Sequence, residues 1–318
     1  MIMKSPKPIM AILMATSLTV TIAGCDDDDD DDDNSESSIE SPIESPIESS
    51  IESPIHSYKF KKTFEVEGRQ GIATDGDFYY VSGSTALYKY DKAGTLLLTN
   101  DTPFAHFDKP ANHLGDIDVY KGEIYTGGET FVDGRGTNIQ IAIYDAQTLD
   151  YKRSMDWNPD SGQVEVSGLA VDRDRKTVWM TDWVNGSYIY QYDLESGEYI
   201  GKLHLQPVPQ YQQGIFYWED YLYITADDGD AEDNEHDHCY RVKIEPSSVT
   251  ADQVALEKTF TEVKRTGEIE GLAVDPKTGE FLVHFNRGKR VVLGMPQGFY
   301  PGYDREIHEI YVYEMSKN

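Results

Sequence analysis

The segment GEIEGLAVDPKTGEFLVHFN, Gly267–Asn286, holds the pattern that decides the fold. Two short apolar runs, GLAVD and EFLVHFN, flank PKTG, whose proline and glycine are typical of a tight turn. The segment is therefore predicted to form a β-hairpin. Its unusual residue is Glu270, a carboxylate directly before the glycine that opens the first strand. This residue is either a solvated loop charge or one member of a polar site.

The opening of this hairpin recurs along the chain. Similar openings begin at five glycines, spaced by 44, 53, 46 and 57 residues: Gly71, Gly115, Gly168, Gly214 and Gly271. Each opening is followed by two further β-type runs, and the first four units contain one more. Equal units of four antiparallel strands are typical of a β-propeller, whereas a β-sandwich, the other all-β alternative, does not require them.

The last unit is one strand short because the chain ends at Asn318, and Tyr58–Val66 is a strand-like run without a unit of its own. Pairing of the two would close the ring and protect two sheet edges. The sequence therefore predicts an all-β fold, a five-bladed β-propeller over residues 58–318 whose last blade is closed by the N-terminal strand. A monomer is expected.

The GLAVD and Tyr-Asp signatures of these units resemble the NHL, YVTN and gluconolactonase/regucalcin-like propellers. The resemblance covers the whole predicted domain and implies an architecture more than a chemistry. Gluconolactonase- and regucalcin-like propellers carry Glu-Gly at the start of an inner strand, which Glu270 and Gly271 match, although in the last unit and with Leu272 in place of the usual proline. The resemblance implies a divalent metal, Ca²⁺, with four candidate ligands: Glu270, Asp182, Asp227 and Asn286.

The N-terminus carries two segments that do not belong to the repeats. Residues 1–24 combine Lys4 and Lys7 with an apolar run, which is typical of a signal peptide. The following IAGC resembles the lipobox of bacterial lipoproteins, which implies acylation of Cys25. Residues 25–57 contain eight consecutive aspartates and an IESP repeat, so they are predicted to form a disordered acidic tether.

These segments predict a protein of the bacterial cell envelope, anchored to the lipid bilayer through Cys25. The periplasmic side of the inner membrane is expected if the retention rule for Asp26 applies, and otherwise the outer membrane or the cell surface. A formal net charge of −29 argues against a nucleic-acid partner, because little is available to neutralise phosphates. With Cys25 in the anchor, Cys239 has no partner for an intramolecular disulfide.

Polar residues precede each opening glycine. Because the first and second strands of a blade are antiparallel neighbours, the start of one lies beside the end of the other, and these residues are expected on one rim of the central channel. Long connections in units two, four and five would rise from the same rim. The candidate catalytic residues are His113, Asp116 as the group that orients or charges it, Glu165 and Glu270. The candidate ligand-binding residues are Arg69, Gln70, Gln213 and Asn286.

Two functions fit this rim, and the alternative is that its polar residues only solvate a water-filled channel. The first is a metal-dependent lactonase, cycloisomerase or ester hydrolase that acts on a small molecule, with a proton moved by His113 or a carboxylate. The second is a non-catalytic module for an envelope glycan, a peptide or a partner protein, with aromatic contacts: Tyr211, Phe299, Tyr300 and Tyr303. A glycosidase with two carboxylates is a third possibility, and the sequence does not choose the substrate.

Overall fold

The inner strands of five antiparallel sheets contact one another in a closed cycle, which makes the fold a five-bladed β-propeller. The computed structural model describes residues 52–183, 186–244, 250–251, 253–263, 266–292 and 295–318. The predicted signal peptide, Cys25 and nearly all of the predicted tether lie outside these ranges. Within them the fold is all-β apart from a 3₁₀ helix, Pro159–Ser161, and no helix there has the length and apolarity to span a membrane.

The blades follow the units predicted from the sequence. The N-terminal strand is β1 (His56–Val66). Blade 1 contains β2 (Gly71–Thr74), β3 (Phe78–Gly83), β4 (Ala86–Asp91) and β5 (Leu96–Asn100). Blade 2 contains β6 (His113–Tyr120), β7 (Glu123–Val132), β8 (Arg135–Asp145) and β9 (Tyr151–Asp156). Blade 3 contains β10 (Leu169–Asp172), β11 (Thr177–Thr181), β12 (Tyr188–Asp193) and β13 (Tyr199–Leu205).

The last two blades carry the additional strands. Blade 4 contains β14 (Gln212–Trp218), β15 (Tyr221–Ala226) and β16 (His238–Lys243); the short β17 (Thr250–Ala251) pairs with the edge of blade 3, and β18 (Val254–Thr259) completes blade 4. Blade 5 contains β19 (Ile269–Val274) and β20 (Glu280–Arg287). A separate hairpin follows, β21 (Lys289–Val292) and β22 (Met295–Phe299), before β23 (Ile307–Lys317) returns to blade 5.

The ring closes as predicted, because β1 is the outermost strand of blade 5. It pairs antiparallel with β23, from Val66 opposite His308 to His56 opposite Lys317. The strand begins at His56, two residues before the predicted boundary at Tyr58. The backbone N–H groups of Ile55 and His56 donate to the buried Glu257 carboxylate at 3.1 and 3.0 Å, which binds this earlier segment to blade 4.

The opening glycines leave space for a buried carboxylate at the propeller axis. Asp116, 0% exposed, accepts the N–H groups of Ile117 at 2.8 Å and Ile215 at 3.2 Å, and so joins blades 2 and 4. A Cβ atom at Gly71 or Gly271 would lie 2.1 or 1.9 Å from Asp116 Oδ1. Glycine is therefore required here by close approach rather than by its backbone angles.

Apolar side chains fill the spaces between neighbouring blades. Between blades 3 and 4, for example, the buried residues Trp179, Ile215 and Leu222 belong to one cluster. This packing fixes the relative positions of the inner strands, and with them the residues at the strand starts.

One of the three predicted long connections is absent. In blade 2, the segment predicted as a long connection between the second and third strands instead extends β7 and β8. The two strands are joined at Asp133 and Gly134, whose φ angles are 51° and 78°. Positive φ at two successive turn residues is the geometry of a tight type I′ hairpin. The other two connections are long, and the one in blade 5 contains the β21–β22 hairpin.

Candidate functional site

The residues before the opening glycines of all five blades line one cavity at the channel mouth. The cavity has a volume of about 130 Å³. Six of the residues predicted from the sequence form part of its wall: Arg69, Gln70, His113, Glu165, Gln213 and Glu270. These side chains therefore lie on the shared rim that antiparallel strand pairing predicted.

Glu270 is held on the wall by neighbours in blades 4 and 5. Asn286 Nδ2 donates to Glu270 Oε1 at 2.5 Å, and Thr225 Oγ1 donates to the Glu270 carbonyl at 2.6 Å. The side chain is 2% exposed, and this burial raises the pKa of Glu270 well above its ordinary range, although Arg69 opposes the shift.

Arg69 is surrounded by carboxylates. Its Nη2 lies 2.5 Å from Glu268 Oε2 and 3.8 Å from Glu270 Oε1, and its Nε lies 3.1 Å from Glu306 Oε1. One guanidinium thus faces three carboxylates, two of which also line the cavity. The positive charge of Arg69 is compensated within the protein and is not left for an anionic ligand.

His113 takes a different partner from the one predicted. Its Nδ1 lies 3.1 Å from Glu129 Oε1, whereas Asp116 is buried at the axis and bonded to backbone amides. The expectation that Asp116 orients His113 is therefore corrected: three residues along a strand, Asp116 points to the channel interior below the mouth. Burial, and secondarily Arg69, lowers the pKa of His113 to about 4, so the imidazole is neutral at neutral pH.

Glu165 belongs to a group of buried carboxyl groups between blades 2 and 3. Glu165 Oε2 accepts the Trp183 N–H at 2.7 Å. Asp182 accepts the Glu165 N–H at 3.2 Å and the Tyr190 hydroxyl at 2.9 Å. Burial raises the pKa of Glu165 and of Glu129 well above the ordinary range, and repulsion between the carboxylates adds to it. Burial raises the pKa of Asp182 to about 7.

Because of these buried carboxyl groups, we expect the protein to be more stable at about pH 5 than at about pH 7.5. Between its ordinary pKa of 3.8 and its folded value of about 7, Asp182 binds more protons in the folded than in the unfolded state. The free energy of unfolding therefore falls as the pH rises through this window. Carboxylates with a lowered pKa, such as Glu123 at about 2, lose their stabilising contribution only at lower pH.

Urea unfolding at the two pH values measures the effect. Asp182→Asn is the matched variant, because it removes the titrating group and keeps an oxygen that can accept the Tyr190 hydroxyl. The stability difference between the two pH values should be smaller in the variant than in the natural chain. An equal difference in both proteins would contradict the assignment to Asp182.

The four predicted calcium ligands do not meet at one point. Asp182 binds backbone amides and Tyr190, and Asp227 lies in a neighbouring groove. Asn286 Nδ2 donates a hydrogen bond to Glu270, and Asn286 Oδ1 accepts one from His308 Nδ1 at 2.7 Å. In the described ranges no three His, Cys, Asp or Glu side chains are grouped so that they could hold a metal ion. These residues do not fit the six to eight oxygen ligands that calcium takes.

Several wall residues were not singled out from the sequence. Phe131 reaches the cavity because β7 extends further than predicted, and its ring lies 5.3 Å from the His113 ring. Trp183 also lines the cavity, is 8% exposed, and its Nε1 has no hydrogen-bond partner among the described residues. Glu129 does not line the cavity, but its contact with His113 could have been predicted, because the two residues stand directly opposite each other in the β6–β7 pair.

An open groove continues from the cavity between the two long connections. Its volume is about 340 Å³, and it shares Glu268 and Val291 with the cavity. Of the four predicted aromatic contacts, Tyr211 and Tyr300 line this groove. Phe299 is 48% exposed, whereas the Tyr303 hydroxyl accepts a hydrogen bond from Thr266 Oγ1 at 3.0 Å within the protein.

The fold and this wall define a five-bladed β-propeller with an acidic pocket at the mouth of its channel. No family model matches the chain, and no curated protein matches it. Among solved structures it is similar to the glutaminyl cyclase of Myxococcus xanthus, with a TM-score of 0.53 and 9% identity over 84% of this chain and 100% of that chain. It is also similar to the hydrazine synthase of Kuenenia stuttgartiensis, with a TM-score of 0.42 and 10% identity over 80% of this chain and 67% of that chain. At these identities the likeness concerns the fold alone.

Proposed function

We propose that the channel mouth is the active site of an enzyme that opens or closes a ring, or cleaves an ester, at a carbonyl group of a small substrate. One observation carries the proposal: buried carboxyl groups with raised pKa values and a neutral imidazole line the same cavity. Groups that titrate far from their ordinary range are concentrated at catalytic sites, because acid–base catalysis needs pKa values near the working pH.

The side chains on the wall can take separate catalytic roles. Glu270 and Glu165 lie on different blades, so one can remove a proton from the attacking group while the other delivers a proton to the leaving group. Gln70 and Gln213 are neutral donors for the carbonyl oxygen on which charge develops. Gln70 Nε2 is now bonded to Ser84 Oγ at 3.1 Å, a contact that a substrate can replace.

The reaction class has support from two directions. The resemblance to gluconolactonase/regucalcin-like propellers implies ring opening at a carbonyl, and the similar Myxococcus xanthus protein is a cyclase by name. Both reactions begin with attack of a nucleophile on a carbonyl carbon and end with loss of a leaving group from it. The role of calcium implied by the resemblance is not included, since Glu270, Asp182, Asp227 and Asn286 do not fit it. Turnover should therefore persist when a chelator is added.

The location that we propose is the bacterial cell envelope, with Cys25 acylated and embedded in the bilayer. The propeller begins at His56, which pairs with Lys317 on the rim opposite the channel mouth.

A screen with the purified full chain tests the proposed reaction. Lactones, simple esters and peptides with an N-terminal glutamine are incubated with the protein, with calcium or with a chelator, and products are identified by mass spectrometry. We expect turnover in one of these classes, equal in both conditions. Absence of turnover in every class would contradict the proposal.

A non-catalytic binding module is the second candidate, and the exposed apolar side chains beside the groove favour it. Tyr211 is 43% exposed, Val292 44% and Phe299 48%. Exposed aromatic and aliphatic residues at a pocket are typical contacts for a peptide or a partner protein. Saturable binding of a peptide without any product would support this candidate instead.

A further inference from the structure

The cavity wall carries more carboxyl groups than cationic groups. Glu165, Glu268 and Glu270 line it, and Arg69 is the one Lys or Arg among the described residues of its wall. Glu306 Oε1 lies 3.1 Å from Nε of the same guanidinium, and Glu129 Oε1 lies 3.1 Å from His113 Nδ1. Lys289 adds one ammonium at 3.3 Å from Glu306. Two cationic groups thus serve five carboxyl groups in this part of the described structure.

Ionisation of buried carboxyl groups in excess of the nearby cations is costly. A buried carboxylate without a partner must take up a proton or find a cation. Glu270 Oε1 accepts from the neutral amide of Asn286 at 2.5 Å, whereas the nearest cationic nitrogen, Arg69 Nη2, lies 3.8 Å from it. A cation that enters the cavity therefore meets carboxyl groups whose charged form it can stabilise.

Other parts of the wall suit an organic cation rather than a metal ion. Phe131 and Trp183 present aromatic side chains to the same space, and Tyr211 packs against Trp183 with ring centroids 5.9 Å apart. Aromatic faces attract ammonium groups. Trp183 Nε1, in a side chain that is 8% exposed, lacks an acceptor among the described residues. A ligand that combines an ammonium group with a carbonyl oxygen can serve both requirements.

We propose that the cavity binds a ligand through a protonated amino group, which Glu270, Glu165 and Glu268 recognise, with the ligand's carbonyl oxygen accepting from the remaining donors of the wall. The inference rests on the site assigned under the proposed function and names its substrate class: small amino compounds with a carbonyl group, rather than anionic or neutral ones. A volume of about 130 Å³ admits the amino end of such a compound. The groove that shares Glu268 can receive the rest.

Isothermal titration calorimetry of the full chain with glycinamide tests this inference. The matched neutral probe is N-acetylglycinamide, which keeps the carbonyl groups and lacks the charge. We expect glycinamide to bind in a one-to-one complex and N-acetylglycinamide to bind at least about tenfold more weakly, since hydrogen bonds to charged groups are the stronger ones. Equal affinity for both probes, or no glycinamide binding at millimolar concentration, would overturn the inference.

Variants locate the interaction. Glu270→Gln is expected to weaken glycinamide binding by about tenfold or more, because one charged hydrogen bond contributes roughly that much. Glu268→Gln, on the same wall, is the second variant in case the first does not fold. Glu195→Gln changes an exposed glutamate on the opposite rim and should leave the affinity unchanged. If neither wall variant alters the affinity, the amino group binds elsewhere and the inference is wrong.

This measurement separates the inference from the proposed reaction. Binding of glycinamide without turnover of any screened compound would support the proposed ligand class and contradict the proposed enzymatic activity. Turnover of a neutral or anionic lactone together with no glycinamide binding supports the enzyme and overturns the ligand class.

Discussion

A chain that begins at Glu67 is expected to lose its cooperative thermal transition. Deletion of β1 exposes the whole length of β23, which now pairs with it from Val66–His308 to His56–Lys317. It also removes Tyr58 and Phe64 from the apolar cluster of blade 5. Each large side chain that loses its burial costs about 1.5–3 kcal/mol, and a whole domain has only about 5–15 kcal/mol to lose.

Polar contacts add to this effect at the start of the strand. Glu257, 2% exposed, accepts hydrogen bonds from the backbone of Ile55 and His56 and from the Tyr58 hydroxyl at 2.9 Å. Without the N-terminal segment, the one close ionic partner that Glu257 keeps among the described residues is Arg241, at 3.2 Å. A buried carboxylate that loses most of its donors is strongly destabilising.

Differential scanning calorimetry of two truncated chains measures the loss. The control begins at Ser50 and keeps every contact of β1 described above, so its melting temperature should match that of the full chain. Addition of a synthetic peptide of residues 52–66 to the shorter chain should restore a transition. A chain from Glu67 that melts like the control would show that β1 does not close the ring.

Glu270→Gln is expected to reduce turnover by about a hundredfold or more once a substrate is known, since a positioned acid or base contributes about 10²–10⁴-fold. The amide keeps the size of the side chain and can still accept from Asn286 Nδ2, which now donates at 2.5 Å. It cannot exchange a proton. The fold should therefore be preserved while the chemistry is lost.

Steady-state kinetics with Glu165→Gln and Glu195→Gln complete the comparison. Glu165→Gln should show a loss of similar size, because this residue is the second acid–base group on the wall. The Glu195→Gln protein should behave as the natural chain does. Retention of most of the turnover in both wall variants, with melting temperatures unchanged, would rule out acid–base roles for the two carboxyl groups.

The architecture was predictable because each element of it is encoded locally. Glycines at regular spacing, turn residues such as PKTG and a last unit that lacks one strand specify the blades and their closure. The rim positions followed from antiparallel pairing alone, which puts the residue before each opening glycine beside the end of the second strand.

The finer features depend on contacts between distant residues. Asp116 was assigned to the mouth because it is three residues from His113, but it fills the space left by Gly71 and Gly271, which are remote in sequence. The length of β7 depends on a tight turn at Asp133 and Gly134 that resembles an ordinary loop in the sequence. The metal ligands were carried over from a resemblance, and local sequence does not reveal that Asp182 and Asn286 are already bonded within the protein.

The most direct test of the account is a crystal structure of the protein soaked with glycinamide. We expect electron density for the ligand in the cavity lined by Gln70, His113, Glu165, Gln213 and Glu270, with its amino group against the Glu270 carboxylate. Density only in another part of the protein, or these five side chains directed to different surfaces, would contradict it.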